Sequence, residues 1–167
     1  MSAGGGATVG AILVGSAIAI PNLLRARMAS NEAAAIGALR TVNTAQIAYA
    51  ASYPQRGFAR SLAALGPDPR GGSAHSAEHA NMLDATLGDA SCAAGAWCEK
   101  SGYRFSLKAA CAERGCREFV VTATPVSSNT GTRNFCSTSD GVIRSNVGPV
   151  MSMPLSAAEC RKWPPLQ

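Results

Sequence analysis

Residues Asn22 to Ala51 read NLLRARMASNEAAAIGALRTVNTAQIAYAA, and this stretch decides the fold. It is rich in Ala, Leu, Arg, Met, Gln and Glu, all good helix formers, and no proline follows until Pro54. One long helix is expected. Leu24, Met28, Ala35, Leu39, Val42, Gln46 and Ala50 recur at helical spacing with Ile36 and Ile47 beside them, whereas Arg25, Arg40 and Thr44 fall on other faces. Most of the stripe is small, so the helix can lie close against a sheet on one side and against other helices elsewhere. Upstream, Ala7 to Ile20 (ATVGAILVGSAIAI) carries no charge. Counted from Ala3 to Leu24, the uncharged run is about as long as the roughly 20 residues that cross a bilayer. The opening MSAGGG has none of the basic residues of a secretory signal peptide, so a weak signal anchor or a buried helix are the plainer alternatives. Pro21 lacks an amide hydrogen and crowds the preceding turn, which predicts a kink or a locally melted turn there.

Downstream the composition changes. Tyr53 to Gly102 is dominated by Pro, Gly, Ser, Asp and Ala, with PDPRGGS (Pro67 to Ser73) reading as loop. Short helical turns are predicted at Ser61 to Leu65 and at Ser76 to Leu87, where Ala80, Leu83 and Leu87 recur at helical spacing. Beyond Gly102 the period shortens. Tyr103, Phe105 and Leu107 alternate with polar residues, as do Phe119, Val121 and Ala123 with their neighbours, which predicts two antiparallel strands. The connection from Ala110 to Arg117 holds Cys111 and Cys116, placed to staple the hairpin end. Shorter strands are predicted around Arg133 to Ser137 and Gly141 to Arg144, separated by the turn signal Ser139-Asp140-Gly141. The tail from Pro149 to Gln167 contains four prolines and reads as irregular.

The 167 residues suit one domain. Hydrophobic residues make up 47% but aromatics only 5%, so much of the apolar content is alanine and the globular core is expected to be thin. A net charge of +5 mildly favours an anionic ligand, yet the arginines are scattered and no basic run marks a nucleic-acid or membrane-surface site. All six cysteines, Cys92, Cys98, Cys111, Cys116, Cys136 and Cys160, lie in the second half, with no CxxC pair. Their spacing suits disulfides in an oxidising compartment better than a tetrahedral zinc site. Six cysteines allow fifteen pairings; the sequential set is preferred, in which Cys136–Cys160 closes the longest loop and pins the tail onto the sheet.

One string resembles catalytic chemistry. His75-Ser76-Ala77-Glu78-His79 matches H-x-x-E-H, in which two histidines on one helix face bind zinc and the glutamate polarises a metal-bound water. Here it directly follows Arg70-Gly71-Gly72-Ser73, a loop, and the chain has no further histidine to complete the ligand set. A solvated loop is the better expectation. No nucleophile elbow, phosphate loop or dinucleotide fingerprint is present.

The string Ala17-Ile18-Ala19-Ile20-Pro21-Asn22-Leu23-Leu24-Arg25-Ala26-Arg27, with Asn31-Glu32-Ala33-Ala34, Leu39-Arg40-Thr41, Ala45-Gln46 and Tyr53-Pro54, resembles the N-terminal helix of bacterial type IV pilins and the related type II secretion pseudopilins. Ser101-Gly102-Tyr103-Arg104-Phe105, Thr122-Ala123-Thr124-Pro125 and Asp140-Gly141-Val142-Ile143-Arg144 are similar to the sheet of the same group. The resemblance implies a helix whose first half anchors the subunit in the inner membrane and later forms the filament core. Its second half would pack on the sheet, and a disulfide-bounded C-terminal segment would face outward. The family's leader glycine, phenylalanine and following glutamate are not matched. With Pro21 aligned, Gly4 takes the glutamate position, and a register cut after Gly6 puts Ala7-Thr8-Val9 where the family has Phe-Thr-Leu.

The expected architecture is α+β and type IV pilin-like: a long N-terminal α-helix packed on a four-stranded antiparallel sheet, with a disulfide-stapled C-terminal segment. Residues 1–24 are the apolar transmembrane and filament-core half of the helix, 25–52 its amphipathic half, 53–101 a long connecting loop with short helices, and 102–167 the sheet and disulfide region. The expected function is a structural filament subunit without enzymatic activity, cofactor or metal. Its filament core is assigned to Val9, Ile12, Leu13, Val14, Ile18, Ile20, Pro21, Leu23 and Leu24. Its expected partners are further copies of itself in a helical homopolymer, inner-membrane lipid before assembly, and the pilus assembly machinery. The subunit would move from the inner membrane to the cell surface; adhesion, motility and nucleic-acid binding stay open. The alternatives are a type II secretion pseudopilin and a membrane-anchored or secreted binding module that does not polymerise.

Overall fold

The computed structural model describes residues 9–72 and 75–166, with side chains in the first helix described from Pro21 onward. Helix α1 (Val9–Ser52, 44 residues) runs through Pro21 without interruption. The melted turn expected there does not occur, because one missing amide leaves the neighbouring turns of a long helix intact. Burial starts at Glu32 and continues through Ala35, Leu39, Val42, Asn43, Ala45, Gln46 and Tyr49. The predicted stripe is thus right in its middle and wrong at its ends. Leu24 is 40% exposed and Met28 half-buried because the rest of the molecule does not reach that far down the helix, and Tyr49 replaces Ala50 as the last buried position. Ile47, predicted beside the stripe, is 65% exposed.

The short helix α2 (Leu62–Leu65) forms where predicted, with the Ser61 hydroxyl accepting from the Ala64 amide at 3.2 Å. The helix expected over Ser76 to Leu87 does not form. Asn81 takes a left-handed φ of 53°, and the surrounding amides serve α2 instead. Ala80 donates to the Ala64 carbonyl at 3.0 Å, Asn81 to Gly66 at 2.9 Å, and Met82 and Leu83 to Leu65 at 2.7 and 2.9 Å. These bonds satisfy carbonyls that a four-residue helix cannot satisfy itself. Ala80, Leu83 and Leu87 are buried all the same, so their spacing marked burial rather than helix. The packing is close enough that a Cβ on Gly66 would stand 1.9 Å from the Gly88 carbonyl oxygen.

The sheet has five antiparallel strands in the order β1-β2-β3-β4-β5, one more than expected. They are β1 (Cys98–Lys100), β2 (Tyr103–Ala112), β3 (Gly115–Pro125), β4 (Arg133–Thr138) and β5 (Ile143–Val147). The additional strand is β1, inside the stretch read as loop: three residues, Cys-Glu-Lys, cannot display an alternation. The β2–β3 pair spans Tyr103↔Pro125 to Ala112↔Gly115, with a register shift between Ala110 and Cys111.

Alternation along the strands gives the sheet two covered faces. Tyr103, Phe105, Leu107, Phe119, Val121, Ala123 and Phe135 join the α1 stripe in the main core. Val120 and Cys136 face the other way and cluster with Leu155 and Cys160, against which Met151, Ala157 and Trp163 pack. The last helix, α3 (Ala157–Cys160), starts at a capping box in which the Ser156 amide donates to the Glu159 carboxylate at 2.7 Å and the Glu159 amide donates back to the Ser156 hydroxyl at 3.3 Å. The disulfides are the sequential set, Cys92–Cys98, Cys111–Cys116 and Cys136–Cys160.

Candidate functional site

Helix α1 divides at Glu32 into a projecting part and a packed part. Every side chain from Pro21 to Arg27 is exposed, including Leu23 at 59%. Of the residues assigned to a filament core, Pro21, Leu23 and Leu24 therefore stand in solvent beside Arg25 and Arg27. Val9, Ile12, Leu13, Val14, Ile18 and Ile20 belong to the same helix by backbone, and their side chains lie outside the described residues, as do residues 1–8 with Gly4 and Gly6. Among the described residues no helix is long and apolar enough to cross a membrane.

The projecting part is fastened at its base. Glu32 is 7% exposed; one carboxylate oxygen accepts the Thr132 amide and hydroxyl, both at 2.9 Å, and the other accepts Nε and a terminal nitrogen of Arg133, both at 2.8 Å. Burial alone would raise the Glu32 pKa, but the hydrogen bonds from Thr132 and Arg133 outweigh it and hold the carboxyl below its ordinary range. One residue earlier, the Asn31 amide donates to the Thr130 carbonyl at 3.0 Å. Tyr103 donates its hydroxyl to the Arg133 carbonyl at 2.8 Å, so the core of the sheet braces the same loop.

Further along, polar side chains stitch α1 down. Asn43 donates to the Ser137 hydroxyl on β4 at 2.9 Å. Gln46, fully buried, donates to the Ala59 carbonyl at 3.1 Å and accepts the Ala59 amide at 2.8 Å. Tyr49 donates to the Ala77 carbonyl at 2.7 Å. Of these anchors the stripe included only Gln46. Glu32, Asn43 and Tyr49 each lie three or four residues from a stripe member, but so do the exposed Arg25, Arg27 and Ile47, so spacing alone does not single them out.

The opposite face carries a strap. Met151 and Leu155 donate their amides to the Thr124 and Thr122 hydroxyls at 2.9 and 3.1 Å. The Pro149 carbonyl accepts from Asn134 at 3.0 Å, the Met151 carbonyl from Arg104 at 3.2 Å, and the Ser152 carbonyl from the Trp97 indole at 3.1 Å. Cys136–Cys160 closes the strap at its far end. The tail read as irregular is thus ordered: residues 149–156 have no regular structure and are held by Trp97 and side chains of the sheet, and α3 follows them.

The H-x-x-E-H string does not sit on a helix. Ser76 and His79 exchange backbone hydrogen bonds at 3.0 and 3.2 Å in a tight turn. Nδ1 of His75 lies 3.2 Å from the Ala80 carbonyl, and Glu78 pairs with Arg56 at 2.7 Å, which lowers its pKa. Glu78 and His79 line a cleft of about 580 Å³ together with Tyr49 and Phe58. Among the described residues no group of three His, Cys, Asp or Glu could hold a metal ion. No family model, curated protein or solved structure matches the chain.

Proposed function

We propose that this protein is a structural filament subunit of the type IV pilin class, assembling through α1, with no catalytic role. The observation that supports it most is the division of α1: one helix carries a part packed on the sheet and a part with Leu23 at 59% and Leu24 at 40% exposure, uncovered among the described residues. Exposed apolar residues on a projecting helix are costly in water and gain from burial against other helices. In this mechanism, apolar side chains from Val9 to Leu24 leave lipid and pack against the same segments of neighbouring copies, while the sheet and strap form the outer surface. The subunit would wait in the inner membrane, meet the assembly machinery there, and end in a surface fibre. A type II secretion pseudopilin shares this build; deleting the gene and assaying protein export against twitching or adhesion separates the two.

Leu13→Asp and Ile18→Asp should abolish filaments seen by electron microscopy while the disulfide-bonded domain still folds and melts as before. Filaments of normal length and number in those variants would sink the proposal. A second possibility is an anchored or secreted module that stays single. It predicts a monomer in detergent and no crosslinks between α1 helices in cells.

A further inference from the structure

β5 ends the sheet, but its outer side is occupied. The Ser145 amide donates to the Pro164 carbonyl at 3.1 Å, and the Leu166 amide donates to the Ile143 carbonyl at 2.8 Å. Between these bonds Arg144 and Pro165 face each other as an antiparallel bridge. Residues 164–166 therefore lie along β5 as a short added strand. Leu166 packs against the main core with Ile143, and Trp163 packs against the second cluster. In this pairing the backbone of residue 165 points away from β5. It is a proline, so the outward side of the added strand has no donor there, and a further strand cannot bond at that point. Cys160, held by Cys136, keeps the segment in reach of its seat. The sheet's opposite margin, β1, has only three residues and gives little to pair with.

We propose that residues 164–166 are an edge plug, which keeps β5 of one copy from pairing with β5 of another. A second copy is the fitting occupant because β5 is complementary to itself. Amides of Ile143, Ser145 and Val147 point to the outer side, since Arg144 and Asn146 are the residues between them. An antiparallel two-fold pairing centred on Ser145 would set Arg144 against Asn146 and Ile143 against Val147, with no like charges opposed. Arg144 is held back by Asp140 at 2.6 Å, and Val147 is 72% exposed. With the plug seated, sheet-to-sheet contact is closed and α1 is left as the surface through which copies meet.

The test compares the full chain, a chain lacking residues 164–167, and Leu166→Asp, all in one detergent, by sedimentation over rising concentration. The shortened chain and Leu166→Asp should gain association beyond that of the full chain, from one copy to two. Adding Val147→Pro, which removes an outward amide at an exposed position, should return the shortened chain to the full-chain behaviour. In the full chain the Ser145 amide should exchange its hydrogen slowly, and in the shortened monomer quickly. Unchanged sedimentation of both plug variants overturns the proposal, as does association that survives Val147→Pro, or equal Ser145 exchange with and without the plug.

Discussion

Glu32 brings a charge into a nearly closed site and finds four donors there. Removing it by Glu32→Ala leaves the Thr132 amide and the Arg133 guanidinium without their acceptor. Arg133 keeps 38% of its side chain in solvent and can rehydrate, so the expected cost is moderate, about 1–3 kcal/mol. Urea unfolding measures it, and a loss under half a kcal/mol would show that the clip contributes little. The same carboxylate makes stability depend on pH. Its folded pKa is lowered, as is that of Asp140, which a hydrogen bond from Arg144 takes down to about 2. A depressed carboxylate stabilises fully above the unfolded carboxylate range, and the benefit disappears as pH falls through the folded value. Melting temperature should therefore hold down to about pH 5 and fall from there toward pH 2. Asp140→Asn should flatten the lowest part of that fall; an unchanged acid limb would contradict the assignment.

At the scale of elements, α1 shows what sequence can and cannot reveal. Its existence was legible from composition and the absence of proline, and Ala35, Leu39, Val42 and Gln46 from their spacing. Where burial starts was not legible, because helix period says nothing about how far a distant sheet reaches. Spacing misled at Ala80, Leu83 and Leu87, which are buried in a non-helical segment whose amides from Ala80 to Leu83 bond the backbone of residues 64–66. Leu39, with no exposed surface, should cost about 2–5 kcal/mol on Leu39→Ala. Gln46 gives a sharper test. Gln46→Leu is more apolar and similar in size, yet it strands the buried Ala59 amide and carbonyl, so it should destabilise by about 2–4 kcal/mol. A neutral or stabilising result by denaturant titration would show that Ala59 finds other partners.

For the whole molecule, the α+β layering followed from the change of period after Gly102, whereas the sequential disulfide set was one preference among fifteen pairings that spacing does not decide. The ordered strap did not follow, because its order comes from Trp97, Arg104, Thr122, Thr124 and Asn134, far from it in sequence. β1 was too short to carry a pattern. Replacing Cys136 and Cys160 by alanine opens a loop with sequence separation 24, worth about 3 kcal/mol in unfolded-chain entropy. Hydrogen exchange should quicken first at the Met151 and Leu155 amides and leave the α1 face of the sheet slow; uniform loosening of both faces would show that the strap is part of the main cooperative unit.

Glu32 and Thr132 stand 100 positions apart. A ribosome delivers the helix long before it delivers the residues that receive it, and no local pairing can substitute. Until β4 is made, Glu32 and Asn43 lack their partners and the α1 face is only partly covered, so the nascent chain passes most of its synthesis with part of its stickiest helix face open to whatever is nearby, a chaperone or a lipid surface among them.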